Sequence, residues 1–216
     1  MSRSEAKERR RQQVLAAAEA FIRRDGTVEF SMKDLARDAE VSFATPFNLF
    51  GKKEDILAAL FNRRVSEHAS RNSERNATGE GQAQGLENLL YVALDSCDGY
   101  LSDAELFRPL AQSFRMQRTP QLTAISKSAQ AIWKDALQSC QDEKIVAEDI
   151  NLDELSRRLH ISFRVAFGMW ASSELTDAEF RQQALYGAVS CLLPNTTLTG
   201  RQKLTTLIES DPRFKI

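Results

Sequence analysis

Glycine and proline are scarce, nine and five in 216 residues. So few turn-formers argue against the turn-dense strands of a sandwich or barrel and favour long regular elements. Cysteine is rarer: Cys97, Cys140 and Cys191 are odd in number and show no CxxC spacing. That excludes a disulfide framework or a zinc ribbon and predicts free thiols on apolar helix faces. The only two histidines, His68 and His160, lie far apart, and no HExxH, nucleophile elbow or glycine-rich phosphate loop occurs. No catalytic group, metal site or cofactor is therefore expected. Apolar runs are too short to span a bilayer, and the charged start MSRSEAKERRRQQ lacks the apolar stretch of a signal peptide. The expectation is a cytoplasmic protein with no membrane partner.

What is present is ordinary globular material, 42% hydrophobic and 27% charged, enough for a core. The formal net charge of -1 conceals an asymmetry. Residues 1–66 carry 13 basic against 10 acidic side chains, and residues 67–216 carry 16 against 20. A mildly basic head on an acidic body permits a polyanionic partner without requiring one.

Helical periodicity is nearly continuous, and no alternating strand pattern stands out, so the fold class is all-α. A first helix is predicted over 5–24, with Val14, Leu15, Ala18, Phe21 and Ile22 on one face and Gly26 suited to a left-handed cap. Ser31 caps a second helix that runs to Asp38, with Asp34 three residues on and Phe30 placed to staple onto Leu35. A gap at Ala39-Glu40-Val41 follows. Ser42 then opens a short third helix ending near Phe50-Gly51, and a long fourth begins at Lys53 and turns polar towards Arg71. The segment RNSERNATGEGQAQG reads as a loop. Six further helices are predicted, over 83–100, 103–117, 120–142, 152–173, 177–193 and 200–209, with Asp153 and Asp177 in first turns and Thr119-Pro120 as a helix start.

Two short helices joined by a three-residue turn are the arrangement in which the second helix enters the major groove of DNA while the first braces it. Here the chain resembles a known family. Residues 10–61, through VLAAAEAFIRRDG, FSMKDLARDAEVS, ATPFNLF and GKKEDILAAL, are similar to the DNA-binding domain of the TetR family of transcriptional repressors. The run aromatic–Gly–polar–Lys–Glu–acidic–apolar–apolar that opens the fourth helix of that family matches Phe50, Gly51, Lys52, Lys53, Glu54, Asp55, Ile56 and Leu57. The rest of the chain agrees in length and helical character.

The resemblance implies an N-terminal three-helix helix-turn-helix DNA-binding domain over residues 1–52. A helical effector-binding and dimerisation domain would follow over 53–216, with the helix from about 53 to 71 connecting the two. The family usually has Gly where Glu40 and Ala44 stand, an aliphatic at Pro46, Tyr at Phe47 and His at Leu49. If Glu40 must be left-handed, the cost is about 1 kcal/mol. Pro46 is expected to open the third helix with Thr45 as its effective cap, after a tightened turn over 42–45. By position, Phe43, Ala44, Thr45, Phe47 and Asn48 would face bases or sugars, the apolar ones against thymine methyls. Lys53, Lys52, Lys33, Ser31 and Ser42 would hold phosphate, and Lys7, Arg9, Arg10 and Arg11 would form a basic arm.

In the resembled family the last two long helices form the dimer. Leu155, Leu159 and Ala166, which share an apolar stripe with Met169, and the small-residue face Ala184, Gly187, Ala188 and Cys191 fit that role. Aromatics are the other feature of the body. Tyr91, Tyr100, Phe107, Phe114 and Trp133, with His160, Phe163, Phe167 and Trp170, either line a pocket for an apolar or aromatic effector or fill the core. The implied function is a homodimeric repressor on a palindromic double-stranded operator, released by such a small-molecule effector. Alternatives are a helical DNA-binding regulator with no effector, and a helical lipid-binding protein or enzyme.

Overall fold

The computed structural model describes residues 2–77, 85–114 and 120–215. In chain order the helices are α1 (Arg3–Asp25), α2 (Met32–Asp38), α3 (Ala44–Phe50), α4 (Lys53–Ala77), α5 (Gly85–Leu101), α6 (Ala104–Ser113), α7 (Pro120–Asp142), α8 (Leu152–Ala171), α9 (Asp177–Leu192) and α10 (Leu198–Ser210). Among the described residues no strand forms, only one isolated bridge between Val146 and Thr196. The fold is all-α.

Boundaries follow local chemistry. Ser31 accepts from the Asp34 amide at 3.0 Å, and Asn151 and Thr176 accept from the Glu154 and Glu179 amides at 3.1 and 3.3 Å. Asp153 and Asp177 lie in first turns, where negative charge suits the helix dipole. Gly26, at φ 66°, closes α1 by donating to the Ile22 carbonyl at 2.8 Å. Two boundaries differ from expectation. α4 continues from Arg71 to Ala77, into the segment read as loop, because residues 72–77 hold neither glycine nor proline to stop it. α6 stops at Ser113 rather than 117, with Phe114 as its C-cap. Residues 78–84 and Thr119 lie outside the described residues.

The chain divides into two compact units, one of residues 1–68 with 103–124 and one of 69–102 with 125–216. In the first, Val14, Leu15, Ala18, Phe21 and Ile22 of α1 are buried as their spacing predicts, with Leu35, Ile56, Leu57 and Leu60 completing the core. Each such fully buried aliphatic side chain contributes roughly 1.5–3 kcal/mol. Phe30 packs on Phe21, ring centroids 5.4 Å apart. α6 joins this unit through Phe61, whose ring meets Phe107 and Phe114 edge-on, each at 5.5 Å. In the second unit α8 and α5 both pack on α9. Trp170 and Phe180 are fully buried and stacked at 5.2 Å, and the Trp170 indole donates to Asp177 at 2.7 Å.

Candidate nucleic-acid interface

α2 and α3 pack on each other and both pack on α1. The turn between them is a Schellman closure. Glu40 donates to the Arg37 carbonyl and Val41 to the Ala36 carbonyl, each at 3.0 Å. That geometry puts Glu40 at φ 55°, the left-handed conformation glycine adopts without strain.

Expectation and structure differ at the start of α3. The helix begins at Ala44, two residues before Pro46, and Phe43 rather than Thr45 is its N-cap residue, with no side-chain cap. The tight turn over 42–45 does form: Thr45 donates to the Ser42 carbonyl at 2.9 Å and the two hydroxyls meet at 2.8 Å. Pro46 is thus the third helical residue, where an amide has no intrahelical acceptor, so its missing N–H breaks no bond. Its ring is buried, turning the other side of the helix outward.

On that outer side Phe43 and Phe47 are 59% and 42% exposed, with ring centroids 5.4 Å apart at 62°. Ala44 and Asn48 are also exposed, and Thr45 is half-buried. The far end of α3 is held by Arg11, which donates to the Leu49 carbonyl at 3.0 Å and lies 4.2 Å over the Phe50 ring. Gly51, at φ 94°, donates to the Phe47 carbonyl at 2.9 Å and reverses the chain into α4. Arg11, expected in a basic arm, is therefore an anchor for α3. Its partner lies 38 residues away, beyond any local pattern.

The groups expected on phosphate divide in two. Lys33 and Lys52 are exposed, as is Ser42. Lys53 instead points its ammonium at the Val28 carbonyl, 3.1 Å, and over the Phe30 ring, 5.4 Å, tying the loop before α2 to the start of α4. Ser31 is held in its cap, its hydroxyl donating to the Asp34 carboxylate at 2.6 Å.

The residues expected to form an effector pocket also separate. Phe107 and Phe114 surround Phe61 in the first unit. In the second, Tyr100 packs on Phe167 at 4.3 Å, Trp133 on Phe163 at 6.2 Å, and Phe167 on Trp170 at 5.9 Å. His160 accepts from or donates to Ser126 at 2.8 Å, while its Nδ1 makes no hydrogen bond among the described residues. Burial, with Arg164 nearby, brings its pKa down to about 4. Tyr91 stands apart, against Phe214 at 5.2 Å, where it borders a cleft of about 540 Å³ with Asp98, Arg181 and Arg213. Cys97 and Cys140 are buried free thiols, pushed up to about 12 by burial.

Of the residues expected at a dimer face, Leu155, Leu159, Ala166, Ala184 and Ala188 are buried within the chain. Gly187 lies where α9 meets α8, since a Cβ there would run into the Ser162 hydroxyl, and Cys191 is half-buried. On α8 and α9 the uncovered apolar side chains are Ile161, Val165 and Met169, spaced four apart on α8, with Tyr186 on α9 and Leu193 just beyond it; of the expected stripe only Met169 is among them.

A helix-turn-helix packed on α1, in a chain otherwise made of helices, defines a fold class, and solved structures carry it. No family model and no curated protein matches the chain. A TetR-family transcriptional repressor, FadR from Thermus thermophilus in complex with lauroyl-CoA, superposes with a TM-score of 0.67 at 19% identity, covering 85% of this chain and 95% of that one. A TetR-family regulator from Rhodococcus sp. gives 0.63 at 17%, covering 85% and 98%. SmeT, the repressor of the Stenotrophomonas maltophilia multidrug efflux pump SmeDEF, gives 0.61 at 19%, covering 87% and 91%. The chain has the fold of the TetR-family transcriptional regulators. No helix among the described residues is long and apolar enough to cross a membrane.

Proposed function

We propose that this protein is a cytoplasmic TetR-type transcriptional repressor and not an enzyme, binding a palindromic DNA operator as a homodimer. The observation that carries the reading is the exposed outer side of α3, presented by the turn after α2, by Arg11 of α1 on the Leu49 carbonyl and by the Gly51 closure before α4. Bases would face Phe43, Ala44, Thr45, Phe47 and Asn48; phosphates would meet Lys33, Lys52 and Ser42. The second copy would cover Ile161, Val165 and Met169, giving two reading heads related by a two-fold axis.

Release by a small apolar or aromatic effector is the regulatory part of the proposal. It would lodge among Tyr100, Phe163 and Phe167, displacing their mutual contacts, and must favour the non-binding state by about 3 kcal/mol per dimer to lower DNA affinity a hundredfold. The mutual packing of those rings favours a second reading, a DNA-binding regulator with no small-molecule effector.

Selection of bound duplexes from a random pool with the purified protein at moderate salt tests the core of this. A recovered palindrome with two half-sites supports it. Binding that is salt-sensitive but indifferent to sequence would remove the reading head as drawn.

A further inference from the structure

The outer edge of α3 carries no ion. Its sequence, ATPFNLF, holds neither acid nor base. The hydroxyls of Ser42 and Thr45 are engaged with each other at 2.8 Å, which leaves Asn48 as the exposed carboxamide of the helix. Beside it stand two phenyl rings, Phe43 and Phe47, 59% and 42% exposed and in edge contact. The buried ring of Pro46 occupies the inward side, so the aromatic pair is surplus to the packing of α3. Two exposed rings in mutual contact form a contiguous apolar patch, the kind of feature from which contact surfaces are built.

The geometry points to thymine C5-methyl groups as what this pair reads: the head selects half-sites with A·T pairs at neighbouring positions, Phe43 and Phe47 on the methyls and Asn48 on an adenine edge. The inference rests on the DNA-reading proposal above and names its target. Guanine is read in the major groove by Arg or Lys at O6 and N7, and cytosine by a carboxylate at N4; α3 offers neither. Adenine suits a bidentate Asn, and thymine alone presents an apolar group. The ring centroids are 5.4 Å apart, which spans between one and two base steps of about 3.4 Å each. Exposed Lys33 and Lys52 supply the cations that a duplex, unlike an apolar protein surface, would require.

The test uses the full chain and the duplex recovered by random-pool selection. Each thymine is replaced in turn by uracil, which removes only the methyl group, and binding is followed by fluorescence anisotropy at fixed salt. Uracil is expected to weaken binding about fourfold at each of two neighbouring base pairs per half-site, the equivalent of one buried methyl-sized group, ~0.8 kcal/mol. Phe43→Ala and Phe47→Ala, both at exposed positions, should bind more weakly and become indifferent to uracil there, with unchanged helix content by circular dichroism. A specific duplex on which uracil has no effect anywhere overturns the inference and leaves the DNA-reading proposal standing. So does a uracil penalty that persists in both phenylalanine variants. Variants that alter the oligomer mass but not DNA binding would assign the rings to a protein contact instead. If no sequence-specific duplex is recovered, both proposals fall.

Discussion

Glu40 sits where the turn wants a glycine, at φ 55° in the closure between α2 and α3. Replacing Glu40 with Gly should stabilise the protein by about 1 kcal/mol, less whatever backbone entropy the new glycine adds to the unfolded chain. Thermal unfolding checks this, and a lower midpoint would mean the carboxylate contributes something the turn geometry does not show. His160 gives a second prediction at this scale. Its pKa is brought from 6.5 down to about 4, by burial first and by Arg164 second. The unfolded chain therefore takes up a proton before the native one does, so stability declines as pH falls from 6.5 towards 4 and is complete above 6.5. His160→Gln, which keeps a partner for Ser126, should flatten that part of a pH–stability profile from denaturant titrations. The strain at Glu40 was readable beforehand, because a resemblance marked the turn position. The roles of Arg11 and Lys53 were not, because their carbonyl partners lie 38 and 25 residues away and leave no periodic trace.

Elements were the most readable level. Caps at Ser31 and first-turn aspartates in α8 and α9 follow from rules that act within four residues. The start of α3 was misplaced because a proline at the first and at the third helical position satisfies the same rule, and only packing of its ring decides. Attachment of α6 to α1 and α4 was invisible for a different reason: besides the rings packed on Phe61, it rests on ion pairs between residues distant in sequence. Asp103 at the head of α6 accepts from both Arg23 nitrogens and from Arg64, each at 2.7 Å, while Arg23 and Arg63 share Glu19 at 2.8 and 2.6 Å. Burial alone would raise the Asp103 pKa, but the hydrogen bonds from Arg23 and Arg64 outweigh it and hold the carboxyl below its usual range. A depressed carboxylate stabilises the fold above the unfolded value near 3.9, and the contribution disappears as pH falls below it. Asp103→Asn should cost about 1–3 kcal/mol at neutral pH, and its loss on further acidification should be smaller than wild type's, by urea unfolding at both pH values.

At the scale of the molecule, periodicity alone could not say which apolar stripe of α8 its own chain covers. Both stripes recur every three to four residues. The chain itself buries Leu155, Leu159 and Ala166 and leaves Ile161, Val165 and Met169 exposed. Val165→Asp should therefore leave the monomer folded, since the side chain is 57% exposed, and shift sedimentation mass towards a single chain. A dimeric mass retained at micromolar concentration would move the interface elsewhere.

The most direct measurement compares the affinity of the full chain for its selected duplex with that for the same duplex carrying one scrambled half-site, at one salt concentration. A two-headed reader requires both half-sites, and the scrambled duplex should bind at least about tenfold more weakly. Equal affinity for the two duplexes would contradict a dimeric operator-binding regulator.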